Sequence, residues 1–180
     1  MRTVKTDGVI IKRQDFGEAD RIVTLFTKKY GKIRVLGKGV RRIQSRRGPH
    51  IELFNQATFF IHKGRTFDII TEAQVRETYP RIRKNLELIG LAYYVCELVD
   101  GLCAENQPHP NVYDLLVETL EELERGVIQK FERNLLSELG FLPRNRTLPV
   151  DTASYIEQIL ERRIKSKKFL SKLSSVSFFL

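Results

Sequence analysis

Between Gly31 and Gly48 the chain carries Lys32, Arg34, Lys38, Arg41, Arg42, Arg46 and Arg47, and no Asp or Glu. Arginine pairs with phosphate oxygens through two parallel N–H groups, so a run of such cations can follow a polyanionic backbone. The first half of the stretch alternates, with Ile33 and Val35 on one side of an extended chain and Lys32 and Arg34 on the other. From Gly37 to Gly48 that period is lost, which predicts a strand feeding an arginine-rich loop. The plainer reading is a solvated charge run, so the rest of the chain has to decide between the two.

Other chemistries find little support. His50, His62 and His109 are scattered, and no Cys-x-x-Cys occurs, which argues against a zinc site. Asp7, Asp15, Glu18 and Asp20 lie close in sequence and could hold a divalent metal for phosphodiester cleavage, but such groups more often serve turns and strand ends. Gly37-Lys38-Gly39 lacks the spacing of a phosphate-binding P-loop. No catalytic residue, metal or cofactor is therefore expected. Cys96 and Cys103, about 10 Å apart along one helix, read as small buried apolar residues.

The elements that must position the basic stretch fall into two halves. Residues 1–80 hold 17 Lys and Arg against eight Asp and Glu, whereas residues 81–180 hold 14 of each. The whole excess of +9 thus belongs to the front, which suggests a charged working module joined to a neutral one. Residues 1–79 read as five short strands: 9–13, 21–27, 31–37, 51–61 and 67–76. The last alternates, with Phe67, Ile69, Thr71, Ala73 and Val75 on one face. Five strands with the longest irregular piece after the third fit a small closed barrel of the OB type, an SH3-like barrel being the alternative. Phe16, Tyr30, Phe54, Phe59, Phe60 and Phe67 could offer faces to unpaired bases, although a barrel this small needs most of its aromatics inside.

After Tyr79-Pro80 the period becomes helical. Leu86 to Leu102 is apolar nearly all round and predicts the central helix of a bundle. A second helix is expected from an Asn111 cap to Gly126, and a third from Val127 to Leu139, stopped by Gly140. A connector, Pro143–Val150, leads to a last helix from Asp151 or Thr152 through Ile164, with a frayed end from Ser174. The fold expected is therefore α+β, an OB barrel over 1–79 followed by a helical bundle over 80–180. The start of the chain lacks a secretory pattern, and no apolar run reaches the ~18 residues of a membrane span, so a cytoplasmic protein is expected.

Gly17-Glu-Ala-Asp-Arg21, Thr24-Leu-Phe-Thr27, Gly31-Lys-Ile-Arg34, Gly39-Val-Arg-Arg42 and Ser45-Arg46 resemble the RecO family of bacterial recombination mediators. The likeness continues through Arg83-Lys-Asn-Leu86, Tyr94–Leu98, Pro108–Leu116, Phe131–Leu136, Leu139-Gly-Phe141, Leu160 and Lys165–Leu170. It implies an OB barrel and a helical domain, and a protein near the nucleoid that binds single- and double-stranded DNA. It also implies annealing of complementary strands and, with RecR, loading of RecA onto strands coated by SSB. Carried over by position, the DNA-binding face is Arg21, Lys32, Arg34, Lys38, Arg41, Arg42, Arg46 and Arg47. The acidic, phenylalanine-ended SSB tail needs an apolar pocket beside cations; Lys130, Phe131, Arg133, Leu135, Leu139, Arg162 and Lys165 supply those types. Many relatives carry a cysteine-rich, zinc-ribbon-like insert after the helix ending at Leu139-Gly140. This chain has the short Pro143–Val150 connector there, so zinc is not carried over. The Lys165–Leu170 match implies a short member rather than a truncated one.

Three function classes follow. The first is a non-enzymatic DNA-binding mediator. The second is a protein–protein adaptor, or an RNA-binding OB module, whose basic face docks an acidic partner. A metal-dependent nuclease comes last.

Overall fold

The structure is a computed structural model and describes residues 3–142 and 151–176, with side chains to residue 173. Two compact units emerge: residues 3–79 with Cys103–Tyr113, and Pro80–Leu102 with the described residues from Asp114 onward. The Cys103–Tyr113 segment thus goes with the strands, although it lies in sequence among the helices.

The first unit is a closed barrel with strand order β1-β2-β3-β5-β4, where β1 is Thr3–Phe16, β2 Asp20–Thr27, β3 Gly31–Gly37, β4 Gln56–His62 and β5 Asp68–Glu77. All pairings are antiparallel except the short parallel contact of β3 with β5. This is the Greek-key barrel of the OB type, which settles the choice against an SH3-like arrangement. β1 runs well beyond the expected Val9–Arg13. Its start pairs with β4 from Thr3 opposite His62, and its end pairs with β2 up to Phe16 opposite Asp20. A register shift between Ile10 and Lys12 lets one strand serve both neighbours.

Ile10, Val23, Leu25, Ile33, Val35, Phe59, Ile61 and Ile70 fill the interior. The expected alternation of the last strand breaks there. Ile70 and Ala73 both point inward while Thr71 is exposed, because the β4–β5 register shifts opposite Phe60 and Ile61. β4 also starts later than expected, at Gln56; residues 51–55 belong to the loop before it.

In the second unit α1 is Pro80–Arg83 and α2 Leu86–Leu102. Asn85 caps α2 through its side-chain oxygen, which accepts from the backbone N–H of Glu87 and Leu88. As expected, α2 is buried on most sides, from Gly90 to Val99. Cys96 and Cys103 are both buried and neither is in a disulfide, but α2 ends before Cys103. The next helix, α3, is Pro110–Glu121, so Pro110 takes the first position and Asn111 sits inside rather than capping. α4, Arg125–Glu138, ends as the Gly140 signal predicts, with Phe141 N–H donating to the Leu136 carbonyl at 2.8 Å. The Pro143–Val150 connector lies outside the described residues.

The single last helix is corrected to two. α5, Thr152–Leu160, starts at an Asp151 cap and stops where Glu161 takes a left-handed φ of 52°. α6, Lys165–Val176, then begins under the Glu97 carboxylate of α2, which accepts from the N–H groups of Lys165 and Ser166 and from the Ser166 hydroxyl. Backbone to Val176 is helical rather than frayed from Ser174; residues 177–180 lie outside the described residues.

Candidate nucleic-acid interface

The loop between β3 and β4 is held from within. Val40 and Ile51 are buried among the barrel's core residues. Asn55, also buried, donates its amide to the carbonyls of Pro49 and His50, at 3.3 and 3.2 Å. Arg47 spans the loop: one guanidinium N–H reaches the Ile70 carbonyl of β5 at 3.0 Å and another the Lys38 carbonyl at 3.0 Å. At the entry, Gly39 has φ 69°, a region a side chain disfavours, and its N–H donates to the Asp20 carboxylate at 2.7 Å. With these groups turned inward, the charge left facing solvent on residues 38–47 is cationic.

Lys38, Arg42 and Arg46 are exposed, as are Ile43 and Gln44 between them. Together with Arg41 and Arg47 they line an open groove of about 870 Å³ whose one carboxylate is Asp20, already occupied by the Gly39 N–H. Arg34, exposed on the outer side of β3, is the fourth cation of this kind. Among the described residues none of Arg34, Lys38, Arg42 and Arg46 has a carboxylate within salt-bridge distance.

The other expected cations are placed differently. Arg21 lies 3.0 Å from Asp15 and 3.6 Å from Glu52. Arg41 lies 3.5 Å from Asp15 and donates to the Gly17 carbonyl at 3.2 Å. Arg13, which sequence reasoning did not single out, bonds Glu52 at 2.5 Å and the Ile51 carbonyl at 3.3 Å. The hydrogen bond from Arg21 holds the Asp15 carboxyl below the usual range, with Arg41 and Arg13 adding to it. This cluster ties the β1–β2 turn to the loop. It orders the interface at the cost of its own charge.

Lys32 departs furthest from expectation. It is buried, and its backbone bridges to Glu105, its carbonyl accepting the Asn106 N–H at 2.8 Å. The Cys103–Tyr113 segment lies against the start of β3 here, and Gly31 makes that approach possible. A Cβ at Gly31 would stand 1.9 Å from the Gln107 carbonyl oxygen, and its φ is 67°. Lys32 is thus buried and Arg47 half-buried with its N–H groups on two carbonyls, and the exposed set is Arg34, Lys38, Arg42 and Arg46 with Arg41 beside them.

Asp7, Asp15, Glu18 and Asp20 do not converge. Asp7 accepts from Thr58 at 2.6 Å, Asp15 from Arg21 and Asp20 from Gly39. Among the described residues no group of three His, Cys, Asp or Glu is placed to hold a metal, and no helix is long and apolar enough to cross a membrane.

The partner pocket drawn from the sequence needs correction. Phe131 and Leu135 are 1% and 0% exposed, so their side chains are core, and Leu139 is half-buried at the end of α4. Lys130 and Arg133 are exposed, Arg162 is spent on Glu97 at 2.7 Å, and exposed Lys165 gives its N–H to the same carboxylate. Exposed apolar groups of this unit are Leu86 and Tyr93 on α2, Phe169 on α6, and Phe141. Phe169 sits over Gly90, one turn from both Leu86 and Tyr93; a Cβ at Gly90 would come within 3.1 Å of its ring.

Comparison with known proteins bears on both units. A family model described as Recombination protein O N terminal matches residues 1–79, and one described as Recombination protein O C terminal matches residues 83–146. The DNA repair protein RecO of Roseiflexus sp. (strain RS-1) is 38% identical over 148 residues, covering 79% of this chain and 52% of that protein. The proteins of the same name from Pelotomaculum thermopropionicum and Dehalococcoides mccartyi are 33% and 35% identical over 147 residues, covering 79% of this chain and 57% and 58% of theirs. The chain spans about half the length of the curated relatives it matches.

Proposed function

The chain belongs to the RecO family, and from that premise we propose that it is a non-enzymatic DNA-binding mediator of recombinational repair. It holds single and double strands on the β3–β4 loop, anneals complementary single strands and, with RecR, helps load RecA onto DNA coated by SSB. It acts in the cytoplasm, at the nucleoid. The observation that carries this reading is the groove lined by Lys38, Arg42 and Arg46, which, like Arg34 on the outer side of β3, have no carboxylate within salt-bridge distance among the described residues. Four unneutralised cations repel one another, and a phosphate chain relieves that repulsion while releasing counterions. For the SSB tail, Leu86, Tyr93 and Phe169 beside Lys165 and Lys168 replace the buried Phe131 and Leu135 as the apolar seat.

The same charge would suit an adaptor with an acidic partner, or an RNA-binding module. Annealing separates them. The protein should speed pairing of complementary strands coated with SSB, and do so less when SSB lacks its acidic tail. An unchanged annealing rate, or capture of an acidic protein undisturbed by saturating oligonucleotide, favours the adaptor. Tighter binding to RNA than to DNA of one sequence favours the RNA module.

A further inference from the structure

Most barrel aromatics are accounted for by packing. Phe26 and Phe59 are fully buried, and Phe54 is 4% exposed. Tyr30 packs against the core, and Phe60 lies under the Lys5 ammonium at 5.5 Å. Phe16 is different. It ends β1, is 44% exposed, and meets the half-buried Phe67 edge to face, with ring centroids 5.7 Å apart and planes at 64°.

Each ring is one residue from a backbone position linked to a cation of the interface. Phe16 is followed by Gly17, whose carbonyl accepts from Arg41. Phe67 precedes Asp68, which pairs in parallel with Val35, the residue after Arg34. The pair therefore lies at the turns before β2 and before β5, the two loops that flank the ligand face of an OB barrel. An edge-to-face contact holds one ring by the other's edge and leaves a face unused. Single-strand sites on this fold combine such a face with a cationic track, since every unpaired base has a π-surface to stack while a base inside a duplex is already stacked on both sides.

We propose that Phe16, braced by Phe67, is a stacking platform for one unpaired nucleobase of a strand whose flanking phosphates lie on Arg34 and on the loop carrying Arg41, Arg42 and Arg46. This assignment rests on the DNA-binding reading above and gives it a preference for single strands.

The test compares a thymidine 15-mer with an abasic 15-mer of the same phosphate count, at several salt concentrations. The native chain should bind the thymidine strand about tenfold more tightly, the order of one stacked base, with the same salt slope for both. Phe16→Ala should bring the two within about twofold and leave the slope alone. If that variant is poorly folded, Phe16→Leu keeps apolar contact with Phe67, lacks a flat face, and should lose the same preference. The chain has no tryptophan, so Phe16→Trp gives a single indole, quenched by the thymidine strand and not by the abasic one. Equal, salt-dependent affinity of the native chain for both strands overturns the platform and leaves the phosphate-binding reading standing. No salt-dependent binding to either strand overturns both.

Discussion

In the helical unit Arg162 gives its guanidinium to Glu97 at 2.7 Å, and that carboxylate also caps the first turn of α6. In the barrel loop Arg42 and Arg46 are also exposed, yet among the described residues no carboxylate is within salt-bridge distance of them. The same residue type thus does two jobs. In one place it joins elements distant in sequence; in the other its charge is left without an ion-pair partner. Counting cations does not separate these uses, whereas locating the acids does. Within the barrel the same division runs between Arg13, Arg21 and Arg41, tied to Asp15 and Glu52, and Arg34, Lys38, Arg42 and Arg46, tied to none.

The contrast breaks if the two classes respond alike to substitution. The largest difference should come from Arg42→Glu with Arg46→Glu. DNA affinity in about 100 mM salt should fall a hundredfold or more, because two phosphate contacts become two repulsions. The thermal midpoint should hold or rise, since like charge at the loop is relieved. Next is the pair Arg47→Ala and Arg42→Ala. Removing Arg47 leaves the Ile70 and Lys38 carbonyls without their donor and should cost about 1–3 kcal/mol in denaturant unfolding. Removing Arg42 should leave stability within about 0.5 kcal/mol and weaken DNA binding alone.

A smaller effect is expected at Glu97. Desolvation raises its pKa, but the hydrogen bonds from Ser166, Arg162 and Lys165 outweigh that and hold it at about 2, against an ordinary 4.5. A depressed carboxylate stabilises the fold above its unfolded pKa, so this contribution should fade as pH falls from 4.5 towards 2. Glu97→Gln should cost about 1 kcal/mol at neutral pH, the scale of a lost helix cap, and leave DNA affinity unchanged. The smallest effect has the opposite sign. Burial raises the pKa of Glu132, whose carboxylate accepts from the Tyr94 hydroxyl at 2.5 Å. A raised carboxyl costs stability once pH climbs above the unfolded value, so the advantage of Glu132→Gln over the native chain should grow from pH 4.5 upward.

Much of the barrel and its loop was legible in sequence. β2 and β3 announce themselves through β-branched alternation, and the irregular stretch between Gly37 and Gly48 could only be a loop. The start of β1 is hidden in the sequence, because Thr3-Val4-Lys5-Thr6 is too polar to look like a strand until β4 pairs with it. Lys32 followed the period of an exposed face correctly, but the segment that buries it is more than seventy residues away. The break before α6 was hidden for the same reason, since Glu97 supplies the cap from another helix. Phe131 and Leu135 carried a usable signal: their spacing of four, with Leu139 four further on, marks the inward stripe of α4 and argued for core over pocket. Arg13 had a weaker one, at the basic end of an apolar run.

The central claim is that the cations left without acids hold phosphate, and the salt dependence of binding to a short thymidine strand measures it. With about five phosphates held, log K should fall with a slope near −3.5 against log salt, about a hundredfold between 50 and 200 mM, and replacing Arg34, Lys38, Arg42 and Arg46 with alanine should bring the slope below about −1 in magnitude. A folded variant that keeps the native slope contradicts the account.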